Sequence, residues 1–152
     1  IKPKNALAFS VSVQNATDAK YLPTRTQCRR WVKAALQRPA QITLRMVDEA
    51  EGVQLNAQFR HKKCPTNVLT FVYDEGGLLS GDIVLCAPVV ETEAKAQKKT
   101  REAHYAHLVV HGVLHLQGYE HEKNRNAKIM EALETTIMHK LGYANPYQDE
   151  QK

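Results

Sequence analysis

His111 and His115 stand four residues apart in the segment His111-Gly112-Val113-Leu114-His115-Leu116-Gln117-Gly118-Tyr119-Glu120-His121. On a helix that spacing puts both imidazoles on one face, one turn apart. Two ring nitrogens can then reach one ion at about 2.0–2.1 Å. Gly118 tolerates the left-handed backbone that ends a helix, so the chain can reverse and return His121 to the same ion. Three neutral imidazoles leave the ion its full charge and leave a fourth position for a water whose pKa falls to about 7. That is the layout of a catalytic zinc site with one ion per chain, although nickel and copper also accept imidazole. His107, four before His111, extends the row, but three ligands already suffice and it is left out of the set. His61, His104 and His139 are expected not to be ligands.

The spacing equals that of the metzincin proteases, HExxHxxGxxH, with one departure. Those enzymes carry a Glu directly after the first His as general base. Here that position is Gly112, so the peptidase mechanism lacks its proton shuttle. Glu120, beside the third His, is an available carboxylate that either orients water or a ligand or is a solvated turn residue.

These residues need a scaffold. Residues 7–14 alternate apolar and polar (Leu7, Phe9, Val11, Val13) and predict a strand. Thr24 is a helix N-cap, and the helix runs to about Arg38 before Pro39, with Cys28, Trp31, Val32, Ala35 and Leu36 as its apolar face. Ile42, Leu44 and Met46 alternate in a second strand. Asp48 is expected to cap a short helix carrying Val53, Leu55 and Phe59. A third strand follows Pro65, from Val68 to Tyr73, and a Gly76-Gly77 turn leads to a fourth, Asp82 to Cys86. Pro88 suits the first turn of a helix reaching about Lys99. Thr100 begins a helix continuing to about Gln117, and the last spans Glu122 to Lys140, ended by Gly142. The expected fold is a single α+β domain over residues 1–152. It has a four-stranded mixed sheet, five to six helices and a metal site at the end of a central helix.

The 152 residues suit one domain with a core of its own. Twenty-one Lys and Arg against sixteen Asp and Glu give a net charge of +5, which suits an anionic partner. Arg25, Arg29, Arg30 and Lys33, and then Lys95, Lys98, Lys99 and Arg101, are expected as solvated helix faces. No apolar run approaches the ~20 residues that cross a bilayer. The N-terminal segment alternates where a signal peptide would stay apolar. Cys28, Cys64 and Cys86 are odd in number and form no CxxC, which fits a reducing compartment, so a cytoplasmic location is expected.

The His111–His121 segment, with Gly112 in place of Glu, resembles the signature of the YbeY family of bacterial endoribonucleases. Leu55-Asn56-Ala57-Gln58-Phe59-Arg60, Pro65-Thr66-Asn67-Val68-Leu69-Thr70-Phe71 and Gly81-Asp82-Ile83-Val84-Leu85-Cys86 resemble three further motifs of that family, in the same order. The resemblance covers about residues 45 to 147; Glu120 stands where the family usually has Asp, and Thr70 where Ser is usual. It implies a single-strand-specific, zinc-dependent endoribonuclease of rRNA processing, including 16S rRNA 3′-end maturation, and of ribosome quality control. RNA, the ribosome and assembly factors would be its partners, with no membrane. By the same resemblance His111, His115 and His121 bind zinc, and Arg60 is the catalytic or substrate-positioning residue. A divalent ion beside a guanidinium suits the negative charge that builds on phosphate oxygens during cleavage. Either a zinc-bound water attacks, or the hydroxide deprotonates the ribose 2′-OH. His61, Lys62 and Lys63 would add a positive rim. Two alternatives stay open: another metallohydrolase, peptidase-like, with the same triad, and a non-catalytic zinc-containing ribosome-assembly factor.

Overall fold

A computed structural model describes residues 8–60, 67–75, 78–119 and 124–147, with the backbone alone at 59, 60, 74, 75 and 124. Leu7, His61 to Pro65, the Gly76-Gly77 turn, Glu120 and His121 lie outside the described residues.

Among the described residues the alternating apolar segments form four strands, β1 (Phe9–Ala16), β2 (Ala40–Val47), β3 (Val68–Glu75) and β4 (Leu78–Cys86). They make one sheet in the order β1-β2-β4-β3. β1, β2 and β4 run parallel, and β3 pairs antiparallel with β4, so the sheet is mixed as expected. Ile42, Leu44 and Met46 of β2 and Ile83 and Leu85 of β4 join the main core on one face. Val47, Val84 and Cys86 belong to a smaller cluster with Leu69 and half-buried Leu55. Successive residues on a strand point to opposite faces, which is why the two clusters interleave in sequence.

Among the described residues the five helices are α1 (Arg25–Ala35), α2 (Glu49–Arg60), α3 (Ala87–Ala96), α4 (Arg101–Leu116) and α5 (Asn124–Lys140). Thr24 caps α1 in a reciprocal capping box with Gln27, and Cys28, Trp31, Val32 and Ala35 are buried, as expected. The helix stops at Ala35, earlier than Arg38, because Leu36 is already extended. Pro88 occupies the first turn of α3, and the Thr100 hydroxyl accepts from the Ala103 amide to start α4. Helix α2 differs from its expected apolar face. Among its described side chains the buried positions are Gly52 and Asn56, while Val53 and Leu55 are half-buried; the Phe59 side chain lies outside them. The Asp48 carboxylate accepts the Thr17 hydroxyl and so ties the end of β1 to the start of α2.

Helix α4 is the centre of the molecule, with ten of its sixteen residues buried. It presses directly on β4. A Cβ built on Gly112 would stand 3.1 Å from Ile83, and one on Gly81 would stand 2.9 Å from Leu116. Position 112 therefore faces the sheet, and only a residue without a side chain lets the helix approach so closely.

Candidate metal centre

The C-terminal half of α4 carries the histidines. His111 and His115 project from one face with their rings stacked, centroids 6.1 Å apart and planes 18° from parallel. Neither ring is left to choose its own tautomer. The Tyr119 carbonyl oxygen lies 2.8 Å from Nδ1 of His115, and a carbonyl can only accept, so Nδ1 keeps the proton and, in the neutral ring, Nε2 carries the lone pair. At His111 the acceptor is Oε1 of Glu134, 2.5 Å from Nδ1, with the same consequence.

The first of these bonds depends on how α4 ends. Gly118 has φ +102, the amide of Tyr119 donates to Leu114 O and that of Gly118 to His115 O. This is the glycine-terminated helix stop that the sequence suggested. The turn is also stapled to α1. Gln117 accepts from the Gln37 amide at 2.7 Å and donates to Ala35 O at 2.9 Å, and the Tyr119 hydroxyl meets the Gln37 side chain. The Tyr119 carbonyl that orients His115 is thus held from two sides.

Glu134, on α5, was not singled out from the sequence. It has no exposed surface and sits in the stripe of Met130, Ile137, Met138 and Leu141 that buries α5. A charged residue at a helical core position is the signal that marks it. Burial pushes its carboxyl up, but hydrogen bonds from His107 and His111 outweigh this and hold it at about 2. His107 stands 3.7 Å from the same oxygen and 3.3 Å from the Tyr147 hydroxyl. His139 is exposed, and His104 bonds Glu93 at 3.0 Å.

The donor chemistry fits a divalent ion of the zinc type: two imidazoles, one turn apart, with both Nε2 lone pairs set by acceptors on Nδ1. Among the described residues no group of three or more His, Cys, Asp or Glu side chains is placed to hold a metal. His121 lies outside those residues, so the described part supplies His111 and His115. Arg60 ends α2, and its side chain lies outside them as well.

The basic helix faces are less free than expected. Arg30 donates to Leu141 O at 2.6 Å, Arg29 stacks 4.3 Å from the centroid of Phe9, and Arg101 pairs with Glu91 at 2.7 Å. Lys99 donates to Pro146 O at 2.8 Å. Asn67, from the Pro65–Phe71 motif, donates to Glu93 at 3.0 Å, the carboxylate that also meets His104. That part of the motif joins β3 to α3 and α4. Among the described residues no helix is long and apolar enough to cross a membrane.

The profile described as "Endoribonuclease YbeY" matches residues 12–142. The chain belongs to the YbeY family. The match reaches further toward the N-terminus than the motifs that first suggested it. An endoribonuclease YbeY of Nitrosomonas europaea is 52% identical over 95% of this chain and 88% of its own. That of Nitrosomonas eutropha is 54% identical over 90% and 97%, respectively. The solution structure of TM1509 from Thermotoga maritima superposes with a TM-score of 0.62 at 26% identity, covering 93% of this chain and 91% of that one.

Proposed function

We propose that this chain is a zinc-dependent endoribonuclease that cuts single-stranded RNA. The observation that carries the reading is the pair His111 and His115, both fixed as Nδ1–H tautomers with Nε2 on one face at the end of α4. Membership in a family whose relatives are named endoribonucleases supplies the substrate class. His111, His115 and His121 would hold one zinc ion. When bound, the ion supplies Lewis-acid charge beside the scissile phosphate and lowers the pKa of water. Arg60 binds the phosphate oxygens through its planar donors and offsets the charge that grows on them. The net charge of +5 draws the RNA backbone to the site.

The finer setting belongs to the same proposal. The RNA is rRNA, with 16S 3′-end maturation and ribosome quality control as the processes and the cytoplasm as the place. The ribosome or its assembly factors are the partners.

The peptidase-like alternative loses ground on the packing at Gly112. A Glu there would be driven into Ile83 on β4 and away from the metal face. The test is cleavage of a single-stranded RNA and of an unstructured peptide, each with and without chelator. Chelator-sensitive cutting of RNA with the peptide intact is expected. Chelator-sensitive cutting of the peptide alone would overturn the assignment.

A further inference from the structure

We propose that Glu134 is the positioning residue that decides which nitrogen of His111 faces the metal, and that the Tyr147 hydroxyl locks that carboxylate in place. The inference rests on the metal-binding reading of His111 and extends it to two residues that are not ligands.

A buried carboxylate persists only where hydrogen bonds replace its water. Glu134 has no exposed surface, and its two oxygens are engaged in different directions. Oε1 takes the Nδ1 proton of His111 at 2.5 Å, and Oε2 takes the hydroxyl proton of Tyr147. With Oε2 held, the carboxylate cannot swing away from the imidazole. Tyr147 is anchored in turn. Its amide donates to Asn145 Oδ1 at 2.8 Å, and its ring meets His107 edge-on, centroids 5.3 Å apart. Lys99 on the turn before α4 ties down the neighbouring Pro146 carbonyl. The described part of the segment after α5 thus reaches back to α4 and places Tyr147 at the hydrogen bond behind a proposed ligand. His115 receives the same service from a backbone carbonyl, which no substitution of its own side chain can alter. His111 depends on a side chain, and so can be tested.

Carboxylates behind metal-bound histidines raise metal affinity by fixing the tautomer and the ring. In Glu134→Gln the acceptor becomes an amide that can present either a carbonyl oxygen or an NH2 group, so neither tautomer of His111 is enforced. Tyr147→Phe removes the lock, leaves the carboxylate and preserves the ring, so it keeps the comparison available even where the buried substitution does not fold.

Two readouts are taken on the full chain and both variants. Nitrogen-15 NMR of the metal-free protein reports the His111 tautomer. Competition with a chromogenic chelator reports zinc affinity. The unmodified chain is expected to hold His111 as a single Nδ1–H tautomer. Glu134→Gln is expected to give mixed tautomers and zinc binding weaker by about 10- to 100-fold, with a smaller loss in Tyr147→Phe. A single Nδ1–H tautomer in both variants, with unchanged zinc affinity, would overturn the proposal. If the unmodified chain binds no zinc, the metal reading fails. The tautomer spectra still decide the role of Glu134: mixed tautomers uphold it and an unchanged Nδ1–H form overturns it.

Discussion

The Tyr119 carbonyl oxygen lies 2.8 Å from Nδ1 of His115, so the turn that stops α4 also sets the tautomer of a proposed ligand. Gly118, between them, has φ +102. Gly118→Ala is expected to strain that backbone by about 1–2 kcal/mol. A lower denaturant midpoint, together with weaker zinc binding, checks it. A change in stability with zinc affinity untouched would separate the turn from the site.

Gly112 holds α4 against Ile83 and marks the departure from the protease motif. Restoring the protease residue, Gly112→Glu, is expected to destabilise by about 3 kcal/mol or more, through overpacking and a buried charge. Equilibrium denaturation measures this. A stable variant that cleaves peptides would show that position 112 faces the metal and not the sheet.

Much of this was legible in the sequence, because the signals were local. Thr24, Thr100, Pro88, Gly118 and Gly142 each mark a helix end through their own conformational preference, and the structure places the ends there. The alternation of Ile42, Leu44 and Met46 marked a strand with one buried face. What escaped was set by tertiary packing. Among the described side chains of α2, Gly52 and Asn56 are buried while Val53 and Leu55 are half-buried, and a Cβ built on Gly52 would stand 3.4 Å from Cys86, so this face lies close against the end of β4. Glu134 stood in plain view on a core stripe, yet its partner His111 lies 23 residues away, and no spacing rule connects them. Arg30 likewise read as a solvated charge because its acceptor, Leu141 O, is 111 residues distant.

Arg60 is proposed to bind the phosphate. Arg60→Ala is expected to keep the fold and the zinc but slow RNA cleavage by about 100- to 1,000-fold, the scale of a lost transition-state donor. Single-turnover kinetics on metal-loaded protein check it. Full activity in that variant would refute the role.

His104, which is not one of the proposed ligands, supplies a pH dependence. Burial lowers its pKa below the ordinary imidazole value; the facing carboxylate of Glu93 raises it, and His107 and Lys99 lower it further. The unfolded chain then binds the proton more readily than the folded one. Stability is therefore full above about pH 6.5 and falls as the pH drops from there through the folded value. NMR titration is expected to give a His104 pKa below 6.5, and His104→Gln to flatten the acid side of the stability profile. A titration at or above 6.5 would contradict it.

The central claim is that histidines on and after α4 hold a catalytic metal. It is tested most directly by metal analysis of protein purified without an affinity tag, comparing the unmodified chain with His115→Ala. About one zinc per unmodified chain and none in His115→Ala is the expected result, because two histidines hold zinc poorly. An unmodified chain that takes up no metal, or a His115→Ala variant that keeps a full equivalent, would contradict it.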